Sequence, residues 1–239
     1  LLLIPIEIQK VDNFLDFYND KYKECPKTTK EKRKLISKRK HNLDNRIKKD
    51  NKCSIDPGVR CFLTTYSKNG CYEIGNKIKD TFKPVYKKID KITSLKDKEK
   101  ISENKYKKAI TKVYEKMTNK IKDMHWKSSN FLCKNFKTIC IGKLSTRSIV
   151  NNEKSNIHDI TKRELYTLSH FRFRMVLKSQ CEKFNCIYKE INEYETSKRC
   201  HICNKINNVG SSKIYKCEEC KISLDRDINA SINIYKKDK

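Results

Sequence analysis

At 239 residues the chain is long enough for one good-sized domain or two small ones. Its 56 Lys+Arg against 29 Asp+Glu leave a formal charge of +27, which points to a polyanionic partner, nucleic acid before membrane. No run of about 18 apolar residues occurs, and the opening Leu1-Leu2-Leu3-Ile4-Pro5-Ile6 lacks the length and basic lead-in of a signal peptide, so no membrane span or secretion is expected.

Residues 1–9 alternate around Ile4, Ile6 and Ile8 as a strand does, and read as part of something already under way. Residues 10–51 form a basic, partly helical connector; the stretch 10–52 holds 15 Lys/Arg against 7 Asp/Glu. Cys53 to Tyr66 contains two β-prone runs broken by Pro57-Gly58, and Cys71-Tyr72-Glu73-Ile74 follows Asn69-Gly70. Three consecutive antiparallel strands are expected there. Ile78, Phe82, Val85, Ile89 and Ile92, then Tyr106, Ile110, Val113, Met117, Ile121 and Met124, recur at helical spacing. They predict a helical hairpin over 76–127 turning near 94–104. That hairpin carries 17 Lys against 7 acids, a one-signed excess suited equally to a solvated face and to nucleic acid. Residues 135–142 read as a buried strand, 162–185 as a helix and 186–191 as another strand. An initial antiparallel meander followed by alternating helices and strands predicts an α/β mixed sheet flanked by helices.

Cys200-His201-Ile202-Cys203 and Cys217-Glu218-Glu219-Cys220 are separated by 13 residues, the spacing of a four-cysteine structural zinc site. Two tight turns bring two thiolates each to one tetrahedron with no open position. Zinc binding at such sites contributes roughly 10–16 kcal/mol, enough to fold a segment this short. Disulfides are the other reading, and they fit poorly with a Lys-rich chain without a secretion signal; an intracellular, reducing compartment fits better. His201 could substitute for Cys200 or Cys203 as a ligand, but a solvent-facing role is expected for it.

Asp56 ends an apolar strand just before Pro-Gly, and Asp225-Arg226-Asp227 opens the last helix. Acids at a strand end and a helix start can converge on hard cations through oxygen ligands. Turn chemistry for Asp56 and helix capping for Asp225 account for each acid singly.

Taken together, these motifs resemble a known family. Thr196-Ser197-Lys198-Arg199-Cys200-x-x-Cys203, Cys217-x-x-Cys220 and Asp225-Arg226-Asp227-x-Asn229-Ala230-x-x-Asn233-Ile234 resemble the C-terminal signature of TnpB transposon proteins and of their eukaryotic and viral relatives, the Fanzors. Ser54-Ile55-Asp56-Pro57-Gly58-Val59-Arg60 resembles their first RuvC motif. The resemblance implies a RuvC/RNase H-like fold over 52–195 with an inserted zinc ribbon at 196–223 and a final helix at 224–239. It further implies an RNA-guided DNA endonuclease with DNA and a guide RNA as partners. Residues 1–9 would then be the remnant strand of an N-terminal lobe, and a eukaryotic host would place the protein in the nucleus, any other in the cytoplasm.

One departure matters. Where TnpB proteins carry their second catalytic Glu after the strand equivalent to residues 138–141, this chain has Gly142. Fanzors resemble it in that loss and place a substitute Glu shortly before the ribbon, which here matches Glu193 and favours Fanzor over TnpB. Asp56, Glu193 and Asp227 are therefore the expected catalytic carboxylates, holding two Mg²⁺ ions. Glu193 and Glu195 share side-chain parity if the preceding strand continues, so either could face the metals; Glu193 lies nearer the strand. The alternatives are a non-catalytic, decayed transposase-related nucleic-acid-binding protein and a zinc-ribbon interaction module whose acids only cap turns.

Overall fold

The computed structural model describes residues 8–10, 51–76, 78–146, 150, 157–210 and 212–238. Its centre is a six-stranded mixed sheet in the order β1-β4-β3-β2-β5-β6. β2 (Lys52–Pro57), β3 (Leu63–Ser67) and β4 (Gly70–Ile74) form the expected meander, and β1 (Ile8–Lys10) adds antiparallel to the far side of β4. β5 (Thr138–Gly142) and β6 (Ile187–Ile191) run parallel to β2 on its other side. The segment 1–7 and the connector 11–50 lie outside the described residues.

Side-chain alternation gives the sheet two different faces. Cys53 and Ile55 of β2 and Ile139 and Ile141 of β5 point into the main core, where helix α1 (Ile78–Asp97) and helix α2 (Glu103–Asn135) cover them with Ile78, Phe82, Met117, Ile121 and Met124. The opposite face is taken by helix α5 (Arg226–Lys237), which packs on β2 and β3; Ser54 Oγ donates to the Ser231 carbonyl at 2.6 Å.

The helical hairpin turns at residues 98–102, as expected, but its second helix runs on past residue 127. Ser128, Ser129, Leu132 and Cys133 are buried there, and this packing against the sheet carries the helix to Asn135. The single helix expected over 162–185 is two helices, α3 (Asp159–Leu168) and α4 (His170–Lys183). Ser169 between them is left-handed, with φ 49°. His125 Nε2 donates to the Leu168 carbonyl at 2.9 Å, so a tertiary contact takes an acceptor that a continuous helix would use internally.

A separate two-stranded sheet, β7 (Ile214–Lys216) with β8 (Ser223–Asp225), forms the segment before α5. Among the described residues Cys200, Tyr215 and Cys217 are the buried centre of its apolar cluster, too few to hold such a unit together by burial alone.

Candidate active site and cysteine cluster

Asp56 shares side-chain parity with Ser54, and so points to the face covered by α5 rather than into the main core. Gly142 stands in the same relation to Cys140 on β5, whose thiol donates to Asp238 on that face. Ile55 pairs with Ile141, so Asp56 and Gly142 lie side by side one residue further along. α5 begins beside them: Asp225 caps it, accepting from the amides of Asp227 and Ile228, and Asp227 occupies its first turn.

Glu193 reaches the same place from a loop, because β6 ends at Ile191. A β-carbon built on Gly142 would stand 2.1 Å from Glu193 Oε1, so the Glu193 carboxylate occupies the space beside Gly142. That oxygen is buried and has no hydrogen-bond partner. The loop is held by its backbone, the Glu193 carbonyl accepting from Thr196 N at 3.1 Å and Thr196 Oγ1 at 2.9 Å. Glu195 is differently engaged, ion-paired to Arg199.

Asp56 lies in the field of the other two carboxyl groups. Burial pushes Asp56 well above the usual carboxylate range, and the charges of Glu193 and Asp227 push it further, although part of the residue still meets solvent. Burial also raises Glu193 to about 7, against the pull of Arg174, and raises Asp227, with Asp225 adding to the rise and Arg226 opposing it. Their oxygens do not all lie within 4.8 Å of one another; among the described residues only the four cysteines form so tight a group. A wider set fits two cations better than one, since the ions of a two-metal site stand roughly 3.5–4 Å apart. An orphaned buried carboxylate oxygen, and acids that Arg174 and Arg226 only partly offset, are what divalent cations would satisfy.

Sequence reasoning missed Arg174. This arginine is only 8% exposed; its Nη1 donates to the Leu144 carbonyl at 2.9 Å and its Nε lies 3.7 Å from Glu190, so it ties the exit of β5 to α4 beside Glu193. The only sequence signal is a basic residue on the buried face of an amphipathic helix.

Cys200, Cys203, Cys217 and Cys220 bring their sulfurs within 4.8 Å of one another, a cluster able to hold a metal ion. Each Cys-x-x-Cys turn is closed by a residue in the left-handed region, Asn204 (φ 64°) and Lys221 (φ 58°), and backbone amides of Ile202 and Cys220 point at the sulfurs of Cys200 and Cys217. The first turn is fastened to α5. The Arg199 carbonyl accepts from Asn229 Nδ2 at 2.8 Å and Asn233 Nδ2 at 2.7 Å, and Asn229 Oδ1 accepts from His201 N at 3.2 Å. His201 is thus half-buried, with Nδ1 3.1 Å from Asn229 Oδ1, rather than solvent-facing as expected.

This combination, a mixed sheet with carboxylates at the ends of its parallel strands and a four-cysteine insert before the last helix, has known counterparts. Residues 170–234 match the family model described as "Cas12f1-like, TNB domain", and residues 40–153 match the model described as "Probable transposase". A TnpB-like protein of Acanthamoeba polyphaga mimivirus is 43% identical over 195 residues, covering 79% of this chain and 38% of that protein. The chain therefore belongs to the TnpB family, and it spans under half the length of this viral relative. The fold is also that of a chain in a CRISPR-Cas12f ternary complex (TM-score 0.59, 19% identity, 79% of this chain and 39% of that chain). A chain in a Cas12f1–sgRNA–target DNA complex is similar too (TM-score 0.54, 20% identity, 77% and 49%).

Proposed function

We propose that this chain is the nuclease portion of a transposon-associated, RNA-guided DNA endonuclease. The observation that carries the reading is the convergence of Asp56, Glu193 and Asp227 from three separate elements, three carboxyl groups each raised by burial, Asp56 and Asp227 also by neighbouring acids. Such a set is costly to bury without a purpose, and it provides oxygen ligands for divalent cations. When bound, magnesium supplies Lewis acidity at the phosphate and at the leaving oxygen. Asp56 is held by the sheet, Asp227 by the start of α5, and Glu193 by the Thr196 contacts to its backbone, so each is positioned before a substrate arrives. Lys and Arg contacts to phosphate would place the strand, while a guide RNA would select it by base pairing.

In this reading residues 52–195 form the RuvC-like nuclease domain, 196–223 a zinc ribbon and 224–239 the final helix. Zinc suits the four thiolates, whose closed arrangement leaves no position for chemistry. Placement of the carboxylate on the loop before the cysteines, with glycine at the end of β5, supports a Fanzor-like site. The test is Mg²⁺-dependent cleavage of DNA by the parent, Asp56→Asn, Glu193→Gln and Asp227→Asn. Loss of activity in all three supports the assignment; an inactive parent that still binds DNA favours the non-catalytic alternative.

A further inference from the structure

Beside the carboxylates, a groove of about 620 Å³ opens between the exit of β5 and the α3–α4 junction, lined by Leu144, Tyr166, His170, Phe171, Arg172 and Arg174 among others. Two of its aromatic rings face water, Phe171 at 67% and Tyr166 at 57% exposure, and Met175 (54%) continues the apolar strip. The break at Ser169 puts them together. Residues five apart on a continuous helix point about 140° away from each other. The left-handed Ser169, whose hydroxyl donates to the Tyr166 carbonyl at 3.0 Å, reorients α4 so that Tyr166 and Phe171 line one groove.

The flanks are basic. Arg172 is exposed, and the Arg174 guanidinium is 5.7 Å from the Phe171 ring centroid. Arg174 also connects the groove to the site, since its charge acts on Glu193. Exposed aromatic faces interleaved with arginine at the mouth of a phosphodiester site match the chemistry of an unpaired nucleic-acid strand, where bases stack and phosphates pair with guanidinium groups.

We propose that this groove seats an unpaired base of the strand entering the carboxylate site, stacked on Phe171 and Tyr166, with Arg172 on a neighbouring phosphate. The proposal deepens the nuclease reading and rests on it for the identity of the strand.

The test is binding of an oligothymidylate carrying one fluorescent purine analogue, in EDTA, so that no cleavage is required. Quenching of the analogue by the parent is expected. Phe171→Ala and Tyr166→Ala should each weaken binding about tenfold with the salt dependence unchanged, whereas Arg172→Ala should lower the salt slope by about one. Phe171→Trp should keep the affinity, and Phe171→Leu, which keeps apolar area without a π face, should not. Unchanged affinity and quenching in Phe171→Ala would overturn the proposal. So would a change in sedimentation of Phe171→Ala from dimer to monomer without change in quenching, because the groove would then be an interface between copies. Quenching that depends on Phe171 in a protein that never cleaves would sustain the groove while the nuclease reading falls.

Discussion

The carboxylate of Glu193 fills the space that any side chain at Gly142 would need, with Oε1 2.1 Å from the position of its β-carbon. A loop residue thus delivers an acid to the end of β5, where the strand itself carries none. Because the clashing atoms are the far end of a flexible side chain, Gly142→Ala is expected to leave the melting temperature within a few degrees while displacing Glu193. Mg²⁺-dependent cleavage should fall at least tenfold. Moving the acid, in Gly142→Glu combined with Glu193→Ala, should recover part of that loss. A double variant no better than Glu193→Ala alone would count against the two positions serving one site.

Removing one charge from the carboxylate group should stabilise the metal-free protein. Asp56 is raised by burial and then by Glu193 and Asp227, and Glu193 is raised to about 7 by burial, so at pH 8 the fold works against the ionised form of both. Asp56→Asn keeps the shape without the repulsion and is expected to raise stability by about 1–3 kcal/mol in EDTA. The gain should shrink as the pH is lowered and the acids protonate, and should reverse in saturating Mg²⁺. Thermal melts with and without the cation check it; an unchanged melting temperature in EDTA would mean the charges are already well solvated.

Purified protein should hold about one zinc per chain on Cys200, Cys203, Cys217 and Cys220. Cys217→Ser, or a strong chelator, is expected to release amide protection first in 196–223, because the main core lies elsewhere. The start of α5 should loosen next, through loss of the Asn229 and Asn233 bonds to the Arg199 carbonyl. Hydrogen exchange resolves the order, and a metal content well under one with disulfides present would sink the assignment.

Nucleic-acid binding should be mainly electrostatic, given the charge of +27 and the Lys-rich α1–α2 hairpin. Affinity for a duplex should fall by orders of magnitude between low and physiological salt. A flat dependence would show the lysine excess to be a solvated surface.

Phe62 is sandwiched between two imidazoles, with ring centroids 5.4 Å from His125 and 5.2 Å from His170. Burial lowers His125 to about 4 and His170 to about 3; the Leu168 carbonyl opposes the first shift and the Gly58 backbone the second. Both folded values lie below the ordinary 6.5, so the unfolded chain binds more protons as the pH drops. Their contribution is complete above about pH 6.5 and is lost as pH falls toward 4 for His125 and toward 3 for His170, at about 3 kcal/mol for His125 alone. His125→Gln, which leaves His170 as the one titrating member of the pair, should make the stability profile shallower between those limits. A denaturation series in which parent and variant keep the same pH slope would refute this.

Motifs whose geometry is local were legible from the sequence. Two Cys-x-x-Cys turns need only their own few residues to present two sulfurs each, and the stripes through Ile78 and Met117 report helix faces because 3.6-residue periodicity is a property of one segment. Asp56 was legible as a strand-end acid because parity with Ser54 follows from the strand alone. Tertiary structure decided the rest. The parity that made Glu193 and Glu195 equivalent does not apply, since β6 ends at Ile191; Arg199 engages Glu195, and the glycine on β5 leaves room for Glu193. No glycine or proline marks Ser169, where a histidine from α2 takes the Leu168 carbonyl and splits the helix. Arg174 and the Phe171–Tyr166 groove depend on that split and on the exit of β5. Each of these features joins segments distant in the chain, and whether such contacts form depends on which faces the core has already claimed, which no single segment's pattern carries.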